Sequence, residues 1–368
     1  MLELSTRKRS LRDHSGNTQM KYSVTRPPLD EARPLVLALW REVFGALPES
    51  RYPWLYESNP AGEAILHLLR ENGSDQLVGS TAAFPRTLHS RGKPLNAAIA
   101  GDLMVVQGHR SAGPAIALQR ALLSTCTGQH LDVVYGFPNP KSTPVMRRVG
   151  YEPVAGLLQL ILPLKSHYFL RKYIRAPWLS RPTSLLVDVA LRFRPGIMRH
   201  ERSSPRDCFV TDSFDREFDE FWGRVASRYA LIGEKSAEYL DWRYRQCPVR
   251  TYRVFGVRES AAGPLVGYLV FAERDHRIDI VDFAWDETSI ELEEVIARFV
   301  RMQQTGATES IAVSIAGSKD VSRRFLNVGF RARGETNPLL MYRPPGSRVK
   351  LDEIKQGSWY LVAGDNDT

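Results

Sequence analysis

The chain has 368 residues, of which 43% are hydrophobic and 25% are charged, and its formal net charge is +9. This length exceeds one average domain, so we expect two domains that each bury a core. No apolar run approaches about 18 residues, which excludes a membrane-spanning helix, and the positive charge suits either an anionic partner or simple solubility.

The cysteines and the N-terminus indicate the compartment. Cys126, Cys208 and Cys247 stand far apart, without the spacing of a metal or redox motif. We interpret them as reduced thiols of a cytoplasmic protein, with no metal site. Residues 1–20 are polar and basic and contain no apolar core of a signal peptide, so we expect a disordered tail.

Residues 21–164 alternate between strand and helix patterns. A strand at 22–25 precedes an amphipathic helix at 29–44, and 51–63 is predicted to be a loop. The predicted order of elements is β-α-β-β-β-α-β-α-β, with these later elements: strands at 64–72, 77–90 and 95–106, a helix at 114–126, a strand at 131–137, a helix at 141–149 and a strand at 154–164. This order predicts a mixed α+β sheet with hairpins first and crossovers later.

A basic stretch divides the chain. Residues 165–206 are rich in Arg and Lys with interleaved apolar residues, which is typical of a helical connector or of a basic amphipathic surface. Contact of residues 165–200 with the face of a membrane is therefore an expectation, and 207–368 is the expected second domain.

The second half repeats features of the first. Trp54 in YPWLY stands 25 residues before Gly79, and Trp242 in YLDWRY stands 25 residues before Gly267. Each half later carries a basic segment that ends in Gly-aromatic, MRRVGYE and RRFLNVGFRA. This ordered similarity favours a duplication over chance.

A strand-to-helix loop is the first candidate site. The segment RSAGPA, residues 110–115, follows the strand and opens a helix with a proline. Main-chain N–H groups at a helix N-terminus are suited to phosphate oxygens, although the same segment could be an ordinary turn. The turn after the next strand supplies Asn139 and Ser142, which could hold the other side of a ligand at the carboxyl ends of the strands.

These segments resemble a known family. GDLMVVQGHRSAGPAIALQRAL is similar to the acetyl-CoA-binding segment of the GNAT acyltransferases, whose pattern Q/R-x-x-G-x-G/A is met by Arg110, Gly113 and Ala115. GFPNPKSTPVMRRVGYE resembles the next GNAT segment, and YLDWRYRQCPVRTYRVFGV and WYLVAGDNDT resemble tandem-GNAT proteins of bacterial exopolysaccharide and envelope biosynthesis. The resemblance covers most of residues 22–368 and implies two GNAT units in tandem, each a splayed, mostly antiparallel mixed sheet flanked by helices.

The resemblance also implies how acetyl-CoA, or another acyl-CoA, would bind. The pyrophosphate would lie on Arg110 and on the amides of Ser111, Ala112, Gly113, Pro114 and Ala115. A bulge near Val105 and Val106 would splay two strands and admit the pantetheine, and a main-chain N–H there would stabilise the oxyanion. An amine would attack directly, with a base accepting its proton.

The chain departs from the family pattern at the acid that protonates the leaving thiolate. Met146 and Phe325 occupy the positions where the family often carries a tyrosine, so Tyr135 and, less favoured, His109 become the candidates. Asp102 is the best candidate for the base, unless it pairs with a neighbouring basic residue. Poorer candidates are Glu57, His67 and His89.

The second half lacks the phosphate-binding loop. Glu291, Glu293 and Glu294 open its corresponding helix, where carboxylates would repel a pyrophosphate. We therefore expect this half to bind no CoA and to form a wall of the acceptor cleft. The expected wall residues, which could instead pack in the core, are Trp54, Tyr56, Trp242, Arg243 and Tyr244.

The preferred interpretation is an acyl-CoA-dependent N-acyltransferase that acts on an amino sugar or another polysaccharide or envelope precursor, with O-transfer left open. One alternative is a Fem-like aminoacyl-tRNA-dependent peptidyl transferase, which is disfavoured because the phosphate loop is intact. The other is a non-catalytic binding or membrane-peripheral module, which the missing tyrosines would suit. A nucleic-acid partner is not expected, and the sequence determines neither the acceptor nor the oligomeric state.

Overall fold

The computed structural model describes residues 21–45, 47–165, 195–201, 205–304 and 306–367. The predicted tail and most of the basic connector, including nearly all of the proposed membrane-contact segment, lie outside the described residues. Within those ranges, no helix is long and apolar enough to cross a membrane.

The first half has the predicted order of elements. Its strands are β1 Tyr22–Thr25, β2 Ile65–Glu71, β3 Leu77–Ser90, β4 Lys93–Val105, β5 Val133–Gly136 and β6 Glu152–Pro163, and its helices are α1 Leu29–Val43, α2 Ala112–Gly128 and α3 Thr143–Arg148. The segment predicted to be a loop contains a π-helical turn, Pro53–Glu57, whose residues Trp54, Leu55 and Tyr56 are buried. The aromatic residues of this turn are therefore core residues rather than loop residues.

The second half continues with a similar succession. Its strands are β7 Asp207–Thr211, β8 Leu231–Gly233, β9 Arg253–Arg258, β10 Leu265–Arg274, β11 Arg277–Trp285, β12 Ser310–Gly317, β13 Arg331–Tyr342 and β14 Trp359–Val362. Its helices are α4 Pro195–Glu201, α5 Arg216–Val225, α6 Ala237–Leu240, α7 Leu292–Gln303, α8 Lys319–Val328 and α9 Leu351–Gln356. A second π-helical turn, Asp241–Arg245, contains Trp242.

Local sequence sets the longest hairpin. β3 and β4 pair from Gly79–Val105 to Ser90–Lys93, and Arg91 and Gly92 at the turn have φ angles of 50° and 78°. A two-residue turn with both φ angles positive matches the right-handed twist of the strands that it joins. The Arg91 amide also donates to the Tyr229 carbonyl oxygen at 2.8 Å, which ties the hairpin to the second half.

All of these strands form one 14-stranded sheet. Its order is β1-β2-β3-β4-β5-β13-β6-β12-β11-β10-β9-β7, with β14 and β8 off this path. The order is symmetric about its centre, where β13 of the second half lies between β5 and β6, and β6 of the first half lies between β13 and β12. The sequence predicts two separate sheets, but the halves exchange strands, so each half completes the sheet of the other.

Two parallel strand pairs open at their carboxyl ends. β4 and β5 pair from Ala97–Val133 to Ile99–Tyr135 and then part. β11 and β12 pair from Arg277–Ser310 to Ile280–Val313, but the end of β12 is then covered by β14, from Ile315–Val362 to Gly317–Tyr360. The opening in the first half is therefore available to a ligand, whereas a strand of the chain itself covers the equivalent edge in the second half.

Candidate functional site

A cavity of about 690 Å³ lies where β4 and β5 part. Gly101, Asp102 and Leu103 of β4 line it, together with the segment that follows β5. The opposite wall comes from the second half and from residues 363–367, which we call the C-terminal segment. This volume is typical of a small-molecule site.

The β4 bulge that splays the strands lies earlier than the sequence predicts. Ser80 pairs with Met104 and Ala82 with Gly101, so the bulge falls at Asp102 and Leu103, and Asp102 has a φ of 45°. Val105 pairs with Gly79 and Val106 donates its N–H to Val78, so neither residue is bulged. The expected bulge at Val105 and Val106 is therefore wrong, because these residues continue the hairpin ladder.

The loop after β4 presents fewer free amides than expected. The Ser111 N–H donates to the His109 carbonyl oxygen at 2.7 Å, and Pro114 has no N–H to donate. The amides of Ala112 and Gly113 lie at the first two positions of α2, where an α-helix offers no acceptor of its own, whereas Ala115 is the fourth helical residue, at which the intrahelical bonds begin. We therefore correct the donor set of the phosphate loop to the amides of Ala112 and Gly113.

The space around the loop is open to an anion. A Cβ on Gly113 would meet nothing closer than the Ser111 Oγ at 4.0 Å, and a Cβ on Gly108 would meet nothing within 4 Å. The Arg110 Nε donates to the Val105 carbonyl oxygen at 3.0 Å, so this exposed side chain braces the loop against the end of β4. The positive end of the α2 dipole thus faces accessible space.

The segment after β5 supplies the predicted polar residues. Asn139 and Ser142 both line the cavity. The Asn139 Oδ1 accepts the N–H groups of Lys141 and Ser142 at 2.9 and 3.0 Å, which fixes the start of α3. Met146 also lines the cavity, so the position where the family often has a tyrosine offers a thioether here.

Asp102 is a paired carboxylate. Arg51 donates to its two oxygens at 2.8 and 3.1 Å, and the Tyr56 hydroxyl donates to Oδ2 at 2.6 Å. Its charge is neutralised by a buried guanidinium, and both of its oxygens are occupied. The sequence left two roles open for Asp102, a general base or a carboxylate paired with a basic residue. The structure favours the paired carboxylate.

Asp367 is a cavity residue that the sequence did not reveal. Burial raises the pKa of its carboxyl to about 6, and the negative charge of Asp102 acts in the same direction, while Arg51 and Arg243 oppose it. The carboxylate lies against β4 so closely that a Cβ on Gly101 would overlap it. A carboxyl group with this pKa can accept and release a proton near neutral pH.

Two arginines hold the C-terminal segment in place. The Arg51 Nη2 donates to the Asp367 carbonyl oxygen at 3.2 Å. The Arg243 Nε and Nη2 donate to the carbonyl oxygens of Gly364 and Asn366 at 2.9 and 2.7 Å. Asp367 is thus fixed at the cavity wall by contacts from both halves of the chain.

Tyr135 does not reach the cavity. Its side chain is fully buried, its hydroxyl donates to the Asp365 carbonyl oxygen at 3.1 Å, and burial raises its pKa well above the ordinary range. The expected acid for the thiolate is therefore a packing residue beneath the C-terminal segment. His109 lies in the loop, where its Nδ1 is 3.1 Å from the Tyr22 hydroxyl.

The expected aromatic wall is divided between the cavity and the core. Trp54 and Arg243 line the cavity, whereas Tyr56, Trp242 and Tyr244 are buried behind it. The indoles of Trp54 and Trp242 stack at 5.2 Å between ring centroids, and each donates to the backbone carbonyl of the other, at 2.8 and 3.0 Å. This reciprocal pair joins the two π-helical turns.

The second half contains a closed counterpart of the Asp102 cluster. Asp282, at a bulge in β11, accepts the Tyr244 hydroxyl at 2.8 Å and forms an ion pair with Lys235, which is fully buried. Arg324 pairs with Glu291 and Glu293 at the start of α7, where a phosphate loop would lie. The poorer candidates Glu57, His67 and His89 do not line the cavity, and the described residues contain no cluster of three potential metal ligands.

Comparisons with known proteins agree with this geometry. Residues 25–154 match the model of the acetyltransferase (GNAT) domain. A probable N-acyltransferase from Enterococcus faecalis V583 superposes with a TM-score of 0.62 at 14% identity, covering 88% of this chain and 72% of that one. A GCN5-related N-acetyltransferase from Anabaena variabilis gives 0.60 at 13% identity, with 87% and 72% covered.

A third solved structure is similar over more of the chain. N-myristoyltransferase from Saccharomyces cerevisiae with bound myristoyl-CoA superposes with a TM-score of 0.57 at 14% identity, and 92% of this chain and 84% of that one are covered. No curated protein matches the sequence. The fold is thus the mixed α+β fold of GNAT acyltransferases, and residues 25–154 are the part of the chain that is similar to the GNAT domain model.

Proposed function

We propose that the chain is an acyl-CoA-dependent N-acyltransferase. The observation that carries this proposal is the opening between β4 and β5, with the N-terminus of α2 after β4 and the cavity at the point of separation. The pyrophosphate would lie on the amides of Ala112 and Gly113. The thioester would then reach the bulge at Asp102 and Leu103.

The reaction would be a direct transfer. The acceptor amine attacks the thioester carbonyl carbon, a C–N bond forms, the C–S bond breaks and CoA leaves as the thiolate. A main-chain N–H at the bulge, such as that of Leu103, would stabilise the oxyanion without a charged side chain. Asp367, rather than Asp102, would accept the proton that the amine loses, because the Asp102 oxygens are already occupied.

We propose an amino sugar or another polysaccharide or envelope precursor as the acceptor. The resemblance of the sequence to tandem-GNAT proteins of envelope biosynthesis supports this class, and the cavity volume of about 690 Å³ suits a molecule of this size. The symmetric strand order supports an origin by tandem duplication, in which the second half has lost its CoA site and forms the acceptor wall.

The test is isothermal titration of acetyl-CoA into the protein and its Gly113→Glu variant. The added side chain brings bulk and negative charge to the phosphate loop, so we expect binding to weaken about a hundredfold or more. A matched control is Gly223→Glu, because Gly223 is also a helical glycine whose Cβ would meet nothing within 4 Å. Acetyl-CoA binding of equal strength in both variants would refute the proposed loop.

A further inference from the structure

The cavity carries an excess of positive charge. Four arginines line it, Arg51, Arg243, Arg250 and Arg274, against the two carboxylates of Asp102 and Asp367. Arg51 is neutralised by Asp102, and Arg243 binds the backbone of the C-terminal segment. The remaining pair, Arg250 and Arg274, belongs to the wall that the second half contributes.

This pair differs from the arginines around it. Arg253 pairs with Glu273 at 3.9 Å, Arg258 with Glu217 at 2.7 Å, and Arg277 with Asp279 at 2.7 Å. Arg250 and Arg274, in contrast, have no hydrogen bond or ion pair from their side chains to any other described residue. Arg253, Arg258 and Arg277 thus have carboxylate partners among the described residues, whereas Arg250 and Arg274 at the cavity have none.

Unpaired guanidinium groups in a cavity are suited to an anionic ligand. A guanidinium presents a planar set of donors that matches carboxylate and phosphate oxygens, and such charge-assisted hydrogen bonds are roughly twice as strong as neutral ones. The wall residues lie on β10 and on the segment before β9, whereas the phosphate loop belongs to the first half. The anion that they would bind is therefore a group of the acceptor rather than the pyrophosphate.

We infer that the acceptor is a small amine that also carries an anionic group, a carboxylate or a phosphate, which Arg250 and Arg274 bind while the amine faces Asp367. This inference rests on the proposed acyl transfer. The cavity volume of about 690 Å³ suits a molecule of this size. An amino acid and a phosphorylated amino sugar both have this chemistry.

The first experiment compares matched acceptors. Thiol release from acetyl-CoA is measured with phenylalanine against phenylalaninamide, and with glucosamine 6-phosphate against glucosamine. In at least one pair, we expect the anionic acceptor to have a kcat/KM at least tenfold higher than that of its neutral counterpart. The pair that shows this difference identifies the anionic group of the acceptor as a carboxylate or as a phosphate. In the double variant Arg250→Gln/Arg274→Gln, the KM for the anionic acceptor should rise until this preference disappears. The affinity of the variant for acetyl-CoA should remain that of the unmodified protein. The Arg253→Gln variant, which changes an arginine that already has a partner, should keep the preference.

The second experiment does not depend on acyl transfer. Inorganic phosphate is titrated into the Gly113→Glu variant, in which the α2 site is occupied by a carboxylate, so that the remaining binding reports the arginine pair. Adding Arg250→Gln and Arg274→Gln should weaken phosphate binding at least tenfold, and adding Arg253→Gln should not. Phosphate binding that is insensitive to the double substitution, or equal kcat/KM for anionic and neutral acceptors, would overturn the inference. Failure of acetyl-CoA to bind the unmodified protein would refute the acyl transfer instead.

Discussion

Replacing Asp367 with asparagine should make the protein less active and more stable. Because the pKa of this carboxyl is raised to about 6 in the folded chain, the native state holds its proton more tightly than the unfolded chain does. The stabilising contribution of the protonated carboxyl is present at low pH and is lost as the pH rises through about 6. At pH 7 the charge of this partly buried carboxyl thus destabilises the fold by up to about 3 kcal/mol, which the neutral amide removes.

The same substitution removes the proposed proton acceptor. A general base contributes typically 10²- to 10⁴-fold, so kcat should fall by about that factor. In the unmodified protein kcat/KM should rise between pH 5 and pH 7, because the ionised fraction of Asp367 increases from about 10% to about 90%. This rise should be absent from the Asp367→Asn variant.

The assay combines thiol release from acetyl-CoA between pH 5 and 8 with urea unfolding at pH 5 and pH 7. Asp212→Asn, at an exposed carboxylate away from the cavity, is the control and should change neither measurement appreciably. An Asp367→Asn variant that keeps the activity and the pH profile would refute the role of Asp367 as base. A variant that is less stable at pH 7 than the unmodified protein would refute the argument from its pKa.

Three further substitutions test the surroundings of this residue. Gly101→Ala should lower kcat about a hundredfold, because its Cβ would displace the Asp367 carboxylate and meet the Phe84 ring at 2.8 Å; thiol-release kinetics measure this, and unchanged kcat would contradict the contact. Tyr135→Phe should cost about 1 kcal/mol in urea unfolding through the lost hydrogen bond to Asp365, while kcat stays within twofold; a large loss of kcat would restore Tyr135 as the acid. Lys235→Met should destabilise the protein by about 3–5 kcal/mol in the same assay, because it removes the cation that pairs with the buried Asp282 carboxylate, and an unchanged free energy of unfolding would contradict the ion pair.

Local structure followed closely from local sequence. β3 was predicted with its observed ends, because the strand pattern and the turn residues before it, Asn72-Gly73-Ser74-Asp75, lie within one segment. The strand-to-helix loop was located for the same reason, since strand, small residues and proline stand in one run. The donor set within it was predicted less well, because the His109 carbonyl engages the Ser111 amide through a tight turn that the residue types alone do not reveal.

Long-range features could not be predicted in this way. The exchange of β6 and β13 depends on pairing between segments far apart in the chain, and hydrophobic alternation determines which face of a strand is buried rather than which strand lies beside it. Asp367 was missed for a related reason. Nothing in the segment VAGDND indicates that it lies against Gly101 and Asp102, and only the path of β14 through the fold brings it there.

The path of β14 explains why one half of the chain has an open site and the other has not. β14 is buried along its whole length, and it covers the carboxyl end of β12, where a ligand strand would otherwise pair. The approach is close, since a Cβ on Gly317 would lie 2.5 Å from the Trp359 carbonyl oxygen. The residues that follow β14 then enter the first half as the C-terminal segment, with Asp367 at the cavity. β14 therefore both closes the opening between β11 and β12 and brings the proposed base to the opening between β4 and β5. A change that withdraws β14 must then abolish activity at the open site as well.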